Sequence, residues 1–234
     1  MILGSHQPDF APYPGFFYKL YMSDVFVLSD DVAYSNSEMH KYNYIRFGDQ
    51  KHRITIPVSA HADGKILREV DVAEDMIRTK KLLKTVEQAY RKAPFWNQYG
   101  NDILALLDII PFYEPKLTQL NEAIIYWVVA GFGWETVIRH ASQLNPKGRR
   151  DERLLDLCEK TGCDVYLSGW GAQAYHDPKK YEDAGVELQY TDYETLVYPQ
   201  FGNGEFVENL SIIDYILNCG FQTPKEWEAK KRGR

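Results

Sequence analysis

Cysteine is scarce in this chain: 234 residues hold three, Cys158, Cys163 and Cys219. Three thiols cannot build a disulfide framework, and a Cys-x4-Cys pair without nearby histidine is poor zinc spacing. Buried free thiols are the expectation. Long apolar runs are also missing. No stretch reaches the ~18 apolar residues of a membrane span, and Met1-Ile2-Leu3-Gly4-Ser5-His6 lacks the charged and long apolar regions of a secretory signal. A cytoplasmic chain without a membrane span is expected. Nor is there an excess of positive charge. The 27 basic residues against 33 acidic ones leave a net charge of −6, which disfavours a surface devoted to nucleic-acid phosphates and points to a small-molecule partner. The one basic cluster unbroken by acids, Lys230-Lys231-Arg232-Gly233-Arg234, lies at the end of the chain, so residues 226–234 are expected to form a disordered tail.

Aromatic residues, by contrast, are abundant, with 17 tyrosines alone. Tyrosine packs and hydrogen-bonds at once, which suits pockets for polar ligands. Ile2 to Ser5 reads as a short strand stopped by a Pro-rich loop, Gly15 to Met22 as a helix, and Asp24 to Ser29 as a buried strand. Tyr42 to Phe47 and His52 to Val58 flank Gly48-Asp49-Gln50 and predict a β-hairpin. Leu67 to Val72 predicts a further strand. A helical insertion spans about 74–131, with stripes through Met76, Leu82, Leu83 and Val86, then Ile103, Leu106, Leu107 and Ile110, then Leu117, Leu120, Ile124, Ile125 and Val128. Pro94, Pro111 and Pro115 punctuate it.

A β/α rhythm then resumes: strands at 136–140, 164–168 and 186–191 alternate with helices at 151–161, 178–184 and 211–218. The expected fold is α/β: a doubly wound, mostly parallel, Rossmann-like sheet with a hairpin excursion and a helical insertion, forming a single domain over 1–225.

The loop after the first strand, Ser5-His6-Gln7-Pro8-Asp9-Phe10-Ala11-Pro12-Tyr13-Pro14-Gly15, is the leading candidate site. A loop between a strand and a helix start offers backbone N–H groups to an anion, and His6 and Gln7 add an imidazole and an amide. It is neither a Gly-rich dinucleotide loop nor a Walker loop. Asp30 and Asp31 fall at a strand end, where they are able to hold magnesium, orient a substrate hydroxyl, act as a general base or only cap a turn. Asn43 and Arg46 lie three residues apart on a strand and so face opposite sides. Arg46 suits phosphate or carboxylate, or is an edge-strand charge. Gly148-Arg149-Arg150-Asp151-Glu152-Arg153 opens a helix and carries only a weak anion signal. Leu167-Ser168-Gly169-Trp170-Gly171-Ala172 follows a strand and reads as a binding loop, because Ser168 lacks a Gly-x-Ser-x-Gly elbow.

The N-terminal His-Gln-Pro with its later Pro-Gly, the Ser-Asp-Val-Phe-Val leading into Asp-Asp-Val, and the Asn-x-x-Arg before Ile-Pro-Val together resemble the WbqC-like family. Tyr166-Leu167-Ser168-Gly169, Tyr175, Tyr198-Pro199-Gln200, Leu210-Ser211-Ile212-Ile213-Asp214 and Asn218-Cys219-Gly220 look like further signatures in the same order. The chain departs from that pattern at Ala33-Tyr34 and at Lys41-Tyr42. The resemblance implies a bacterial surface-polysaccharide setting and transfer of a glycyl, other aminoacyl or acyl group to an amino sugar or similar amine. The strand-loop-helix start is similar to the nucleotide loops of adenylate-forming enzymes of the pantothenate-synthetase type, which would bring ATP and magnesium.

On this reading His6, Asp30 and Asp31 are catalytic. Gln7, Tyr13, Asn43, Arg46, Ser168, Gly169, Tyr175, Tyr198, Gln200 and Asp214 bind substrate or nucleotide. The alternative is a non-catalytic protein that binds a sugar nucleotide or a biosynthetic intermediate.

Overall fold

Val25 to Leu28 contains no polar position, which suits only a strand covered on both faces. In the computed structural model, which describes residues 1–108 and 115–233, all four residues of this strand are buried. Alternation decides which layer each side chain meets. Phe26 and Leu28 pack with Phe16 and Phe17, whereas Val25 and Val27 pack with Leu157, Cys158 and Tyr181.

That strand, β2 (Val25–Leu28), pairs in parallel with β1 (Ile2–His6), and helix α1 (Pro14–Met22) connects them. The hairpin strands β3 (Tyr42–Phe47) and β4 (Gln50–Thr55) form a separate antiparallel pair around a two-residue turn, where Gly48 takes φ +62°. The second hairpin strand therefore starts earlier than the sequence pattern suggests. Strands β5 (Val137–His140), β6 (Val165–Ser168) and β7 (Glu187–Tyr190) complete a five-stranded parallel sheet of order β5-β2-β1-β6-β7. This is a Rossmann-like α/β fold. From β1 the chain winds outward through β2 to β5, and from β6 it winds the other way to β7. The switch falls between β1 and β6.

The insertion consists of α2 (Met76–Tyr90), α3 (Trp96–Leu107) and α4 (Leu117–Phe132). Their buried stripes follow helical spacing: Thr79, Leu82, Val86 and Tyr90 on α2, and Gly100, Ile103 and Leu107 on α3. Met76 departs from its predicted stripe, because it opens α2 and is exposed. Ile110 and Pro111 lie outside the described residues. The strand predicted at Leu67–Val72 is instead a 3-10 turn over Leu67–Glu69, with Asp71 and Val72 contributing one isolated bridge each, to Lys116 and Val58.

On the other face lie α5 (Ala141–Leu144), α6 (Asp151–Thr161) and α7 (Pro178–Asp183). Helix α8 (Ile212–Cys219) starts at a Ser211 cap, whose Oγ accepts the Ile213 N–H.

The C-terminal segment corrects the expectation of a disordered tail. Residues Lys225–Arg232 form helix α9. Trp227 is buried against Tyr18, with ring centroids 5.3 Å apart, and the Lys231 ammonium sits 4.4 Å from the Tyr21 ring. Glu226 and Glu228 in the first turn and three basic residues in the last complement the helix dipole, so the basic run ends a helix. Among the described residues, no helix is long and apolar enough to cross a membrane.

Candidate functional site

The loops after β1 and β6 leave adjacent strands at the point where the winding reverses, which is where open α/β sheets form a crevice at their C-terminal edge. His6 ends β1 on the α1 side of the sheet, its ring edge-on to Phe16 at 5.2 Å. Its Nδ1 lies 3.0 Å from the Gln7 carbonyl. A carbonyl only accepts, so Nδ1 carries the proton and Nε2 keeps its lone pair. Crowding by protein and the Lys19 charge push the imidazole down to about 4, yet 36% of the side chain meets solvent. His6 is thus neutral near pH 7 and reachable.

Asp9 stands beside it, with Oδ2 3.6 Å from His6 Nδ1 and Oδ1 buried without a hydrogen-bond partner. Burial, with a smaller contribution from Glu38, raises its carboxyl to about 7. Lys19 completes the group. Its Nζ donates to the Ser5 carbonyl at 2.7 Å, and burial lowers its ammonium to about 8. Tyr13 borders the same loop, and its hydroxyl is raised first by burial and then by the Asp9 charge. Gly15 leaves the space in which the Tyr13 ring sits, since an added Cβ would come within 2.3 Å of that ring and displace it.

The loop is held from outside. Asn43 Nδ2 donates to the carbonyls of Phe10 (3.1 Å) and Ala11 (2.9 Å), and Asn121 Nδ2 donates to those of Pro8 and His40, both at 2.7 Å. Ala11 is kept at φ +42°, a conformation rarely adopted without such restraint. Gln7 turns away from the crevice and accepts from His40 Nε2 at 2.9 Å. Burial lowers His40 to about 4, so it serves as a neutral strut.

Across the switch point, Ser5 Oγ lies 3.0 Å from Tyr166 Oη, linking β1 to β6. Ser168, at the end of β6, has its Oγ 2.8 Å from His176 Nε2, and His176 Nδ1 lies 2.6 Å from Asp151 Oδ1. Gly169 follows in an open position, where an added Cβ would meet nothing within 4 Å, and Tyr175 is 77% exposed.

Asp30 and Asp31 are each committed to another partner. Asp30 accepts the Ser142 N–H at 2.9 Å and the Ser142 hydroxyl at 2.5 Å, capping α5. Asp31 is paired with Arg153 at 2.6 Å. Carboxylates committed in this way do not fit a magnesium ion. Arg46, Tyr198, Gln200 and Asp214 do come together, but in a separate buried network. Asp214 accepts from Tyr90 (2.6 Å) and Tyr198 (2.8 Å), while Arg46 donates to Gln200 (2.9 Å), Asp49 (3.0 Å) and the Gly48 carbonyl (2.9 Å). The network ties the hairpin to α2 and α8.

Asn43 and Arg46 do occupy opposite faces of β3, and both are buried in different surroundings. Lys19, Asn121 and His176 carry no local signal in the sequence, whereas Asp151 falls within the Arg-rich run 148–153 and Asp9 within the His6 loop, where its place between prolines is its only local signal.

A protein of Mycobacterium tuberculosis strain H37Rv, named "Uncharacterized protein Rv1507c", is 24% identical to the chain over 225 residues, covering 93% of the chain and 94% of that protein. No solved structure matches the chain. The WbqC-like protein family matches residues 7–226, from just after His6 through the start of α9. The chain belongs to the WbqC-like protein family.

Proposed function

We propose that the protein transfers an acyl or aminoacyl group, such as glycyl, to a small amine of the amino-sugar kind, at the crevice beside His6. The observation that carries this reading is the Asp9 carboxyl, raised to about 7, with a buried unpartnered oxygen next to neutral His6. Amines are mostly protonated near neutral pH and must lose a proton to attack an acyl carbon. A carboxylate titrating near pH 7 is matched to that removal. His6 Nε2 supplies a second proton acceptor. Lys19 places positive charge at the same strand end, where it opposes negative charge on the donor or on the acyl oxygen.

The donor is either an adenylate formed with ATP or an acyl group already activated as an ester or thioester. Hydroxylamine, as a generic amine acceptor, separates them. The protein is incubated with glycine, ATP and magnesium, or with a glycyl thioester, and hydroxamate is measured. Turnover by either route that falls in His6→Ala and Asp9→Asn supports the reading. Hydroxamate absent with both donors, together with calorimetric binding of a sugar nucleotide, would assign the binding-protein alternative.

A further inference from the structure

The side chains at the end of β6 make an arrangement that their local sequence does not announce. Asp151 Oδ1 has only lone pairs to offer a ring nitrogen 2.6 Å away, so His176 Nδ1 carries the proton and donates it to Asp151. His176 Nε2 is then an acceptor, and the Ser168 hydroxyl 2.8 Å away donates to it. Nucleophile, base and orienting carboxylate stand in the order and tautomer of an acyl-transfer triad. Such a triad is recognised by geometry and recurs on unrelated folds without a shared motif. The missing Gly-x-Ser-x-Gly elbow therefore excludes one framework only.

The orienting end is firmly built. Asp151 also accepts the Asp177 N–H at 2.9 Å and the Tyr181 hydroxyl at 3.1 Å, and His176 itself is 7% exposed. Burial acts to raise the Asp151 carboxyl, but these hydrogen bonds outweigh it and hold the group below its ordinary range, as an ionised orienter requires. Ser168 itself is buried, 2% exposed, and the opening lies just beyond it: Gly169 and Gly171 leave open space where a Cβ would stand, and Trp170 is 66% exposed, which is the side from which a substrate would approach.

We propose that Ser168 is an acyl-accepting nucleophile, with His176 as its general base and Asp151 as the residue that positions His176. Its substrate class is an activated acyl ester or thioester. Ser168 Oγ bonds to the acyl carbon and its proton passes to His176 Nε2. The bond from carbon to the leaving oxygen or sulfur breaks, and the leaving group takes that proton. An amine then displaces the serine: the new N–C bond forms, the Oγ–C bond breaks, and the proton lost by nitrogen returns through His176 to Oγ. This second half rests on the transferase reading above, whereas formation of the acyl-serine does not.

The test is covalent labelling of the full chain with p-nitrophenyl acetate and with an alkyl fluorophosphonate, read by peptide mass spectrometry. Label on Ser168 is expected, absent in Ser168→Ala and slowed about 100-fold or more in His176→Gln. Ser168→Cys gives a second readout that needs no ester chemistry. Its new thiol is expected to alkylate with iodoacetamide near pH 6, ahead of Cys158 and Cys163, whose thiols are raised by burial, and to lose that reactivity when combined with His176→Gln. A folded protein whose Ser168 takes no label, or takes it equally well without His176, overturns the proposal. A labelled Ser168 in a protein that forms no hydroxamate keeps the acyl-serine and removes the transferase reading. Hydroxamate formation undiminished in Ser168→Ala does the reverse.

Discussion

His6 and Asp9 lie 3.6 Å apart and are displaced in opposite directions, the imidazole down to about 4 and the carboxyl up to about 7. Near neutral pH the histidine is uncharged and the aspartate is half-titrated. Replacing His6 with alanine removes a proton acceptor and a crevice wall together. A fall of about 100-fold or more in kcat/KM for acyl transfer is expected, with the melting temperature little changed because the ring is part-exposed.

Asp9 also predicts a pH-dependent stability. Its folded-state pKa is raised above the ordinary 3.8, so its contribution is fully present below about pH 4 and is lost as pH rises through about 7. Asp9→Asn has no charge to bury. Its stability advantage over the natural chain is expected to grow between those limits and level off above them at about 2–4 kcal/mol. Denaturant melts at several pH values read this directly, and an advantage independent of pH would count against a buried, raised carboxyl.

Lys19 is expected to trade stability for binding. Its ammonium is buried with the Ser5 carbonyl as partner and is lowered to about 8. Lys19→Met is expected to hold or raise stability at pH 7 while abolishing thermal protection by inorganic pyrophosphate, which the natural chain should show. Equal protection in both proteins would remove Lys19 from the site.

The Asp214 network is expected to support the fold and not the chemistry. Asp214 is fully buried, and burial raises its carboxyl despite the hydroxyls of Tyr90 and Tyr198. Asp214→Ala leaves those donors unanswered and is expected to cost about 3 kcal/mol. Transfer by the folded fraction should be unchanged. Loss of transfer without loss of stability would return Arg46, Tyr198, Gln200 and Asp214 to the substrate-binding role suggested by family resemblance.

The helix that replaced the expected tail is testable too. Trp227→Ala is expected to destabilise the chain by about 3 kcal/mol, measured by denaturant melting. A change within ~0.5 kcal/mol, the size of a surface substitution, would mean α9 does not hold.

What was legible in the sequence was local. The unbroken apolar run Val25–Leu28, the Gly48-Asp49 turn and the α4 stripe each state their own structure, because period and turn chemistry act over a few residues. The His6 loop stood out for the same reason. Partnerships across the chain left no such trace. Tyr90 and Asp214 are 124 positions apart, and His176 meets Asp151 across 25. A carboxylate at a strand end reads the same whether it awaits a metal or, as Asp30 does, caps a helix 112 residues away. Trp227 was a lone aromatic in a charged stretch, too sparse for periodicity to reveal the helix around it.

The most direct test is the pH dependence of kcat/KM for hydroxamate formation in the natural chain and in Asp9→Asn, because the acceptor's own titration is common to both. The natural chain should show a limb with an apparent pKa near 7 that the variant lacks, along with a rate reduced about 100-fold. The same limb persisting in Asp9→Asn at an undiminished rate would contradict the assignment of Asp9 and His6 as the acid–base centre.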